Sequence, residues 1–126
     1  MRVRRLHHSS FPVRDLVRSR RFYEEVLGLE RIPRPDLGVP GVWYGAGEGE
    51  VHLIEVPEGA DVGSPPGYTN PGGRHTAFAI DNYAAALTRL KSAGLEVLET
   101  SAEQGQMWVR DPDGHVIELI VPRVRS

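Results

Sequence analysis

Hydrophobic and polar positions run through the chain in two similar series. In the first half, alternation predicts a strand, and apolar positions three and four residues apart predict a helix. Asp15 suits the N-cap of that helix and Gly28 suits its end. The predicted elements of this half are a strand over 6–13, the helix over 16–27, and strands over 29–32, 42–44 and 51–56.

The second series begins after residues 57–73, a stretch rich in proline and glycine that predicts a linker or a long surface loop. It predicts a strand over 74–80, a helix capped by Asp81 or Asn82 that runs to about 93, and strands over 95–98, 106–110 and 115–121. The turn Asp111-Pro112-Asp113-Gly114 joins the last two strands as a hairpin. The order strand–helix–strand–strand–strand therefore occurs twice, in modules of about 4–57 and 73–122 with a loop over 58–72, within a single domain 1–126.

The two series also match residue by residue. His8 and His75 are each followed by phenylalanine three positions later and a β-branched residue five positions later. A Gly-Leu-Glu segment begins 20 residues after His8 and 19 residues after His75. Another 24 residues lead to His52 in the first half and to Glu118 in the second. His8 and His75 are thus equivalent positions of an internal repeat, as are His52 and Glu118.

Strand alternation separates these four residues from the hydrophobic core. In each strand the apolar neighbours point to the opposite face, where a helix can cover them. Four good metal-ligand types at repeat-related positions predict a shared metal site. The alternative for each histidine is a partly buried polar residue, and for Glu118 an edge-strand charge paired with arginine. His7 falls on the helix-facing side of its strand and is predicted to be structural, and His115 is predicted to stabilise its turn or face solvent.

Composition narrows the possible chemistry. The chain has 126 residues and no cysteine, which excludes disulfides, thiolate metal sites and thiol catalysis. Its 15 Lys+Arg and 17 Asp+Glu give a net charge of −2, which argues against a nucleic-acid or anionic-membrane partner. No segment has the 18 or so apolar residues of a membrane span, and no apolar region follows the basic N-terminus. A cytoplasmic protein with a small-molecule substrate is therefore expected.

These residues resemble the vicinal oxygen chelate superfamily, which includes glyoxalase I, extradiol dioxygenases, methylmalonyl-CoA epimerase and the fosfomycin and bleomycin resistance proteins. The similarity covers essentially the whole chain. It is carried by His8, by the helix segment from Val13 to Leu29, by His75-Thr-Ala-Phe-Ala-Ile-Asp81, and by Asp111-Pro-Asp-Gly-His-Val-Ile-Glu118-Leu. The resemblance implies an α+β fold of two tandem βαβββ modules, forming a cupped mixed sheet with helices on its outer face.

The resemblance also implies one divalent metal per site, held by His8, His52, His75 and Glu118. Such a metal leaves open positions for two adjacent oxygens and stabilises an enolate or oxyanion. A nitrogen- and oxygen-rich ligand set suits iron, nickel, cobalt, zinc or manganese. Members of this length are usually homodimers, and many build each site with ligands from both chains.

Three functions fit this resemblance. A glyoxalase-like lyase or isomerase is the leading one, with Glu118 as ligand and proton shuttle and His52 as ligand or base. Two departures stand against glutathione-dependent isomerisation, because bacterial glyoxalase I has glutamate where this chain has His52, and Pro12 replaces its strand-one arginine. The ligands of an extradiol-type dioxygenase match His8, His75 and Glu118, although this chain lacks the upstream histidine that such enzymes carry. A drug- or metabolite-binding resistance protein without catalysis is the third.

Three further residues are candidates for a substrate pocket, namely Ser10, Trp43 and Trp108. Both tryptophans fall on hairpins beside the ligand strands, where they can equally belong to the core or to a dimer interface. The loop over residues 57–73 is longer than an ordinary connection of about 4–6 residues and either gates the site or only connects the halves.

Overall fold

The computed structural model describes residues 1–123 and divides into two compact units, Met1–Gly63 and Ser64–Ser126. Each unit contains one four-stranded mixed sheet, which confirms the α+β class and the repeated βαβββ order. Residues 124–126, the end of the predicted domain, lie outside the described residues. The elements of the first unit are β1 (His8–Val13), α1 (Leu16–Arg20), a π-helical segment (Arg21–Val26), β2 (Glu30–Ile32), β3 (Gly41–Ala46) and β4 (Gly49–Glu55).

The sheet of the first unit has the strand order β1-β4-β3-β2. Strand β1 runs parallel to β4, and the other neighbours are antiparallel. The alternation predicted for β1 is confirmed, because Phe11 and Val13 are buried while His8 and Ser10 are exposed. The buried face packs against the helical segment, where the Phe11 and Tyr23 rings lie 5.7 Å apart.

The helix of this unit starts as predicted but changes its winding. The Asp15 side chain accepts a hydrogen bond from the Arg18 backbone N–H at 3.1 Å, so Asp15 is the N-cap. After Arg20 the helix continues with i→i+5 bonds, such as Leu27 N–H to the Phe22 carbonyl at 2.9 Å. The wider turn buries two consecutive aromatic residues, Phe22 and Tyr23, under the sheet. Apolar periodicity predicts a helix there but not this change of pitch.

Glu24 ties the helical segment to the sheet. Its carboxylate accepts a 2.7 Å hydrogen bond from the Tyr44 hydroxyl and pairs with Arg20 at 2.9 Å and with Arg31 at 3.3 Å. Tyr44 is fully buried on β3. Burial, followed by its hydrogen bond to the Glu24 carboxylate, raises the pKa of the Tyr44 phenol.

A Tyr44→Phe substitution tests this link through its pH dependence. We expect the variant to lose about 1–2 kcal/mol of unfolding free energy at pH 8, because the Glu24 carboxylate loses its hydroxyl donor. The pKa of Tyr44 is raised in the folded state. The contribution of Tyr44 to the free energy of unfolding is therefore complete below about pH 10 and declines as the pH rises further. Urea unfolding of both proteins at pH 8 and pH 11 measures this. A gap of the same size at both pH values would contradict it.

The second unit contains β5 (Thr76–Ala79), α2 (Tyr83–Ser92), β6 (Leu98–Glu99), β7 (Gln106–Arg110) and β8 (Val116–Ile120). The Asn82 side chain caps α2 by accepting from the Ala85 N–H at 2.9 Å. Gly94 follows the helix with a φ of 79°, a conformation that favours glycine. The sheet order β5-β8-β7-β6 repeats that of the first unit.

The predicted hairpin of the second unit is confirmed. Asp111 closes its turn, because the Asp111 carboxylate accepts from the N–H groups of Asp113 at 2.9 Å and His115 at 2.8 Å. Met107 and Val109 on β7 and Ile117 on β8 form a fully buried face, as alternation requires. No helix within residues 1–123 is long and apolar enough to cross a membrane.

Candidate functional site

The face of the first sheet that points away from the helix carries three of the predicted residues. Strand register places Ser10 beside His52, and His52 directly opposite Trp43. His8 begins the same face of β1, beside Glu50 of β4. Because this face alternates with the buried core positions, its polar side chains lie outside the core that the helix covers.

His52 is held on both ring faces and at one edge. Its imidazole stacks on Trp43 with centroids 4.3 Å apart, and on His8 with centroids 4.0 Å apart. Its Nε2 lies 2.9 Å from Glu50 Oε1. Because a carboxylate only accepts, Nε2 carries the proton and Nδ1 keeps the lone pair in the neutral ring. This hydrogen bond is the main reason why the pKa of Glu50 is lowered.

His8 has a second imidazole as its neighbour. Nδ1 of His7 lies 2.9 Å from Nδ1 of His8, so one of the two rings donates to the other. The face of the His8 ring that covers His52 is shielded from water although the residue is exposed. The pKa of His8 is lowered by this desolvation first and then by repulsion from His52 and His7, with Glu50 opposing.

The stacked rings restrict how the first unit binds a metal. An imidazole nitrogen binds a metal along a lone pair in the plane of its ring, at about 2.0–2.1 Å for zinc. The planes of His8 and His52 are 16° apart in angle, with ring centroids separated by 4.0 Å. Two nearly parallel rings cannot direct in-plane lone pairs at one ion, so in this arrangement only one of the two can serve as its ligand.

Glu118 is the centre of polar contacts in the second unit. It is 5% exposed, and it lies opposite Trp108 in the β7–β8 ladder. The Trp108 indole N–H donates to Oε1 at 3.1 Å, and the Gln106 amide donates to Oε2 at 3.2 Å. These two donors hold both carboxylate oxygens in a fixed orientation.

His75 completes this group. Its Nδ1 lies 2.9 Å from the Gly73 carbonyl oxygen, which can only accept, so Nδ1 carries a proton. Its Nε2 lies 2.9 Å from Glu118 Oε1. In the neutral imidazole this Nε2 has a lone pair, and the carboxylate oxygen facing it also has only lone pairs. A contact of this length therefore needs a proton between the two atoms, and a divalent cation held by both groups could take the place of that proton.

The tryptophans at equivalent positions of the two units contact their candidate donors in different ways. Trp43 lies directly opposite His52, and Trp108 lies directly opposite Glu118. Trp43 covers the face of its imidazole, whereas Trp108 donates its N–H to its carboxylate. Both tryptophans thus contact the candidate donors directly. Ser10 is exposed beside His52.

Three contacts of the site were not predicted from the sequence, those of His7, Glu50 and Gln106. His7 precedes β1, so alternation does not apply to it, and it is exposed beside His8 instead of facing the helix. Glu50 and Gln106 lie two residues before His52 and Trp108, so they share their strand faces. That spacing is the signal that identifies them as neighbours of the donors.

The four predicted ligands are thus arranged as two pairs, one in each unit. His8 contacts His52, and His75 contacts Glu118. Within residues 1–123, no group of three or more histidine, aspartate or glutamate side chains is close enough to hold a metal ion. The donor chemistry of the His75–Glu118 pair suits a divalent metal, and the parallel rings of His8 and His52 admit one ligand from their pair.

Comparison with known proteins agrees with the family resemblance of the sequence. Residues 5–119 match the family model of the Glyoxalase/Bleomycin resistance protein/Dioxygenase superfamily. The chain is 31% identical to glyoxylase I 4 of Arabidopsis thaliana, over 90% of this chain and 68% of that protein. It is 34% identical to lactoylglutathione lyase of Salmonella typhimurium, over 92% of this chain and 91% of the enzyme. A glyoxalase/dioxygenase from Nostoc punctiforme superposes with a TM-score of 0.72 at 25% identity, covering 96% of this chain and 92% of that structure.

Proposed function

Because the chain belongs to the glyoxalase/bleomycin resistance protein/dioxygenase superfamily, we propose that it is a divalent-metal-dependent enzyme, a glyoxalase-like lyase or isomerase of a small oxygen-bearing substrate. The similarity to a lactoylglutathione lyase along almost the full length of both chains supports a lyase over the other family activities. The proposal includes a homodimer, as the resemblance implies, and a cytoplasmic location, as the sequence leads us to expect.

The contact between His75 and Glu118 carries this proposal. The Gly73 carbonyl fixes the imidazole so that Nε2 faces Glu118 Oε1 at 2.9 Å. Metal-binding histidines typically have their other nitrogen held by a backbone carbonyl or a carboxylate in this way. Trp108 and Gln106 hold the carboxylate in turn. The pair therefore has the donors and the outer support of a metal site.

The ligand set in this proposal is His75 and Glu118 with His8, and His52 joins it only if its ring turns away from His8. Iron, nickel, cobalt, zinc and manganese all suit these donors. A metal bound there supplies Lewis-acid stabilisation to a substrate oxyanion or enolate.

The remaining residues supply proton transfer in this proposal. His52 has its Nε2–H on Glu50 and a free lone pair at Nδ1, so Nδ1 can accept a proton from a substrate carbon. The Glu50 carboxylate then stabilises the resulting imidazolium. Trp43 fixes the plane of the ring through stacking. Glu118 is the second proton carrier, since both of its oxygens are oriented by donors.

A dioxygenase is the second candidate, and the stacked rings favour it. If His52 stays off the metal, the set reduces to His8, His75 and Glu118. Two histidines and one carboxylate with open positions are typical of non-haem iron oxygenases. A drug- or metabolite-binding protein without catalysis is the third possibility.

Metal content and turnover together distinguish these functions. We expect the purified protein to retain a divalent metal in elemental analysis, and the metal-depleted protein to regain it from one of the five candidate ions. Turnover of a hemithioacetal in one metal form supports the lyase, and oxygen consumption with a catechol supports the dioxygenase. Metal retention without either activity would reject both chemistries. If no candidate ion is retained or raises the melting temperature, the metal site is wrong and the binding protein is favoured.

A further inference from the structure

An arginine lies on the same sheet face as the histidines of the first unit. A Cβ built on Gly41 would lie 2.8 Å from Arg34 Nη2 and 2.9 Å from Cζ, so the guanidinium covers the glycine. Gly41 precedes Trp43 by two residues on β3 and therefore faces the same way. Trp43 is directly opposite His52. The guanidinium thus lies about 7 Å along the sheet from the Trp43–His52 position.

This guanidinium has no acceptor within the described chain. The half-buried Arg34 makes no hydrogen bond or ion pair within residues 1–123, and its Nε is fully shielded from solvent. Register places the carboxylates of this face, Glu30 and Glu50, beside Gly45, about 13 Å along β3 from Gly41. Glu50 is also already bound by His52. A half-buried arginine whose shielded Nε has no acceptor is unusual, because buried polar groups are normally hydrogen-bonded.

We infer that Arg34 binds an oxyanion group of the substrate, a carboxylate or a phosphate, on the face that carries His8, His52 and Trp43. The planar guanidinium matches both groups through two parallel N–H···O bonds. The inference deepens the proposed function, on which it rests for the substrate itself. It specifies an anionic substrate that reaches from the histidines across about two strand positions to Arg34.

Gly41 makes this placement possible. Any side chain at position 41 would occupy the space of the guanidinium and push it away from the sheet. The neighbouring position on the same strand face is the indole of Trp43, which offers an apolar surface to the body of a ligand. A half-buried guanidinium beside an aromatic surface is a typical arrangement for recognising a small organic anion.

Calorimetry with three matched probes tests the inference on metal-depleted protein. The probes are phenylacetate, phenylphosphonate and the neutral phenylacetamide. We expect at least one anion to bind about tenfold more tightly than the amide, a difference of about 1.4 kcal/mol. Preference for phenylacetate identifies a carboxylate site, and preference for phenylphosphonate identifies a phosphate site. The preferred anion is also expected to shift the Arg34 Nε–H resonance in NMR spectra.

Three variants decide whether Arg34 is responsible. Arg34→Gln is expected to bind the anions no better than the amide, and Arg34→Lys to keep only part of the preference, because lysine lacks the bidentate geometry. Arg21→Gln removes an exposed charge from the helical segment of the same unit and should leave all three affinities unchanged. A melting temperature equal to that of the native protein shows that each variant is folded. Equal binding of anions and amide by the native protein, or a preference that survives Arg34→Gln, would overturn the inference.

Failure of this inference can be distinguished from failure of the proposed function. Because the binding assay uses metal-depleted protein, loss of anion preference with normal metal retention rejects only the role of Arg34. Absence of metal retention with an intact anion preference rejects only the proposed metal-dependent activity.

Discussion

Glu118→Gln and His75→Ala proteins are expected to fold normally and to be purified without the metal that we expect the native protein to retain. Glutamine keeps an oxygen for the Trp108 N–H but removes the charge that faces His75 Nε2. Loss of an outer-shell partner alone typically weakens a metal site by 10- to 100-fold, so loss of a ligand should cost at least about 100-fold. Elemental analysis and metal competition titrations measure this, and turnover should fall at least in proportion.

Two control substitutions separate metal binding from general damage to the second unit. Glu99→Gln removes an exposed carboxylate of the same sheet, whose partner is Lys91 at 2.8 Å. His115→Ala removes the imidazole at the hairpin turn but keeps the backbone N–H that Asp111 binds. Both controls should keep native metal content. If Glu118→Gln and His75→Ala also keep it, the assignment of the metal site is wrong.

Gly41→Ala is expected to be the most destabilising single-methyl addition in the first sheet. The new Cβ would lie 2.5 Å from the Leu53 carbonyl oxygen of the neighbouring strand, as well as against the Arg34 guanidinium. Real Cβ atoms do not approach backbone oxygens so closely, so β3 must shift relative to β4. We expect a loss of about 3 kcal/mol, at the upper end of the usual cost of overpacking. Chemical denaturation of the native and variant proteins measures this loss.

Gly49→Ala is the matched control in β4, since its nearest contact is an ordinary 3.6 Å to the Ala46 carbonyl oxygen. This variant should be neutral or more stable by up to about 1 kcal/mol, because alanine restricts the unfolded chain. Adding Arg34→Gln to Gly41→Ala should recover only a minor part of the loss, since the Leu53 oxygen stays in place. Full recovery in the double variant would show that the guanidinium alone limits position 41.

Much of the fold was predictable because short-range patterns determine it. The Asp15 cap, the Gly94 helix end and the Asp111 turn each depend on neighbours in the chain, and all three are confirmed. Strand alternation likewise separates Phe11 and Val13 from His8. The repeat then identifies His52 and Glu118 as equivalent. These inferences need only sequence spacing and strand parity.

What the sequence did not predict depends on side-chain orientation. Parity puts Glu50 and His52 on one face, but it does not show that the carboxylate takes Nε2 and leaves Nδ1 free. Nor does it show that His8 and His52 stack instead of converging on a point. The π-helical winding after Arg20 also escapes prediction, because its apolar stripe resembles that of an α-helix.

The different surroundings of the two tryptophans have an optical consequence. The chain contains two tryptophans, Trp43 against the imidazole of His52 and Trp108 hydrogen-bonded to the carboxylate of Glu118. An aromatic ring stacked on an indole and a negative charge at its N–H perturb indole emission in different ways. Trp43→Phe would therefore leave Trp108 as the single tryptophan, and Trp108→Phe would leave Trp43. Each single-tryptophan protein would follow events at its own donor, so the two halves of the repeat could be observed separately in solution.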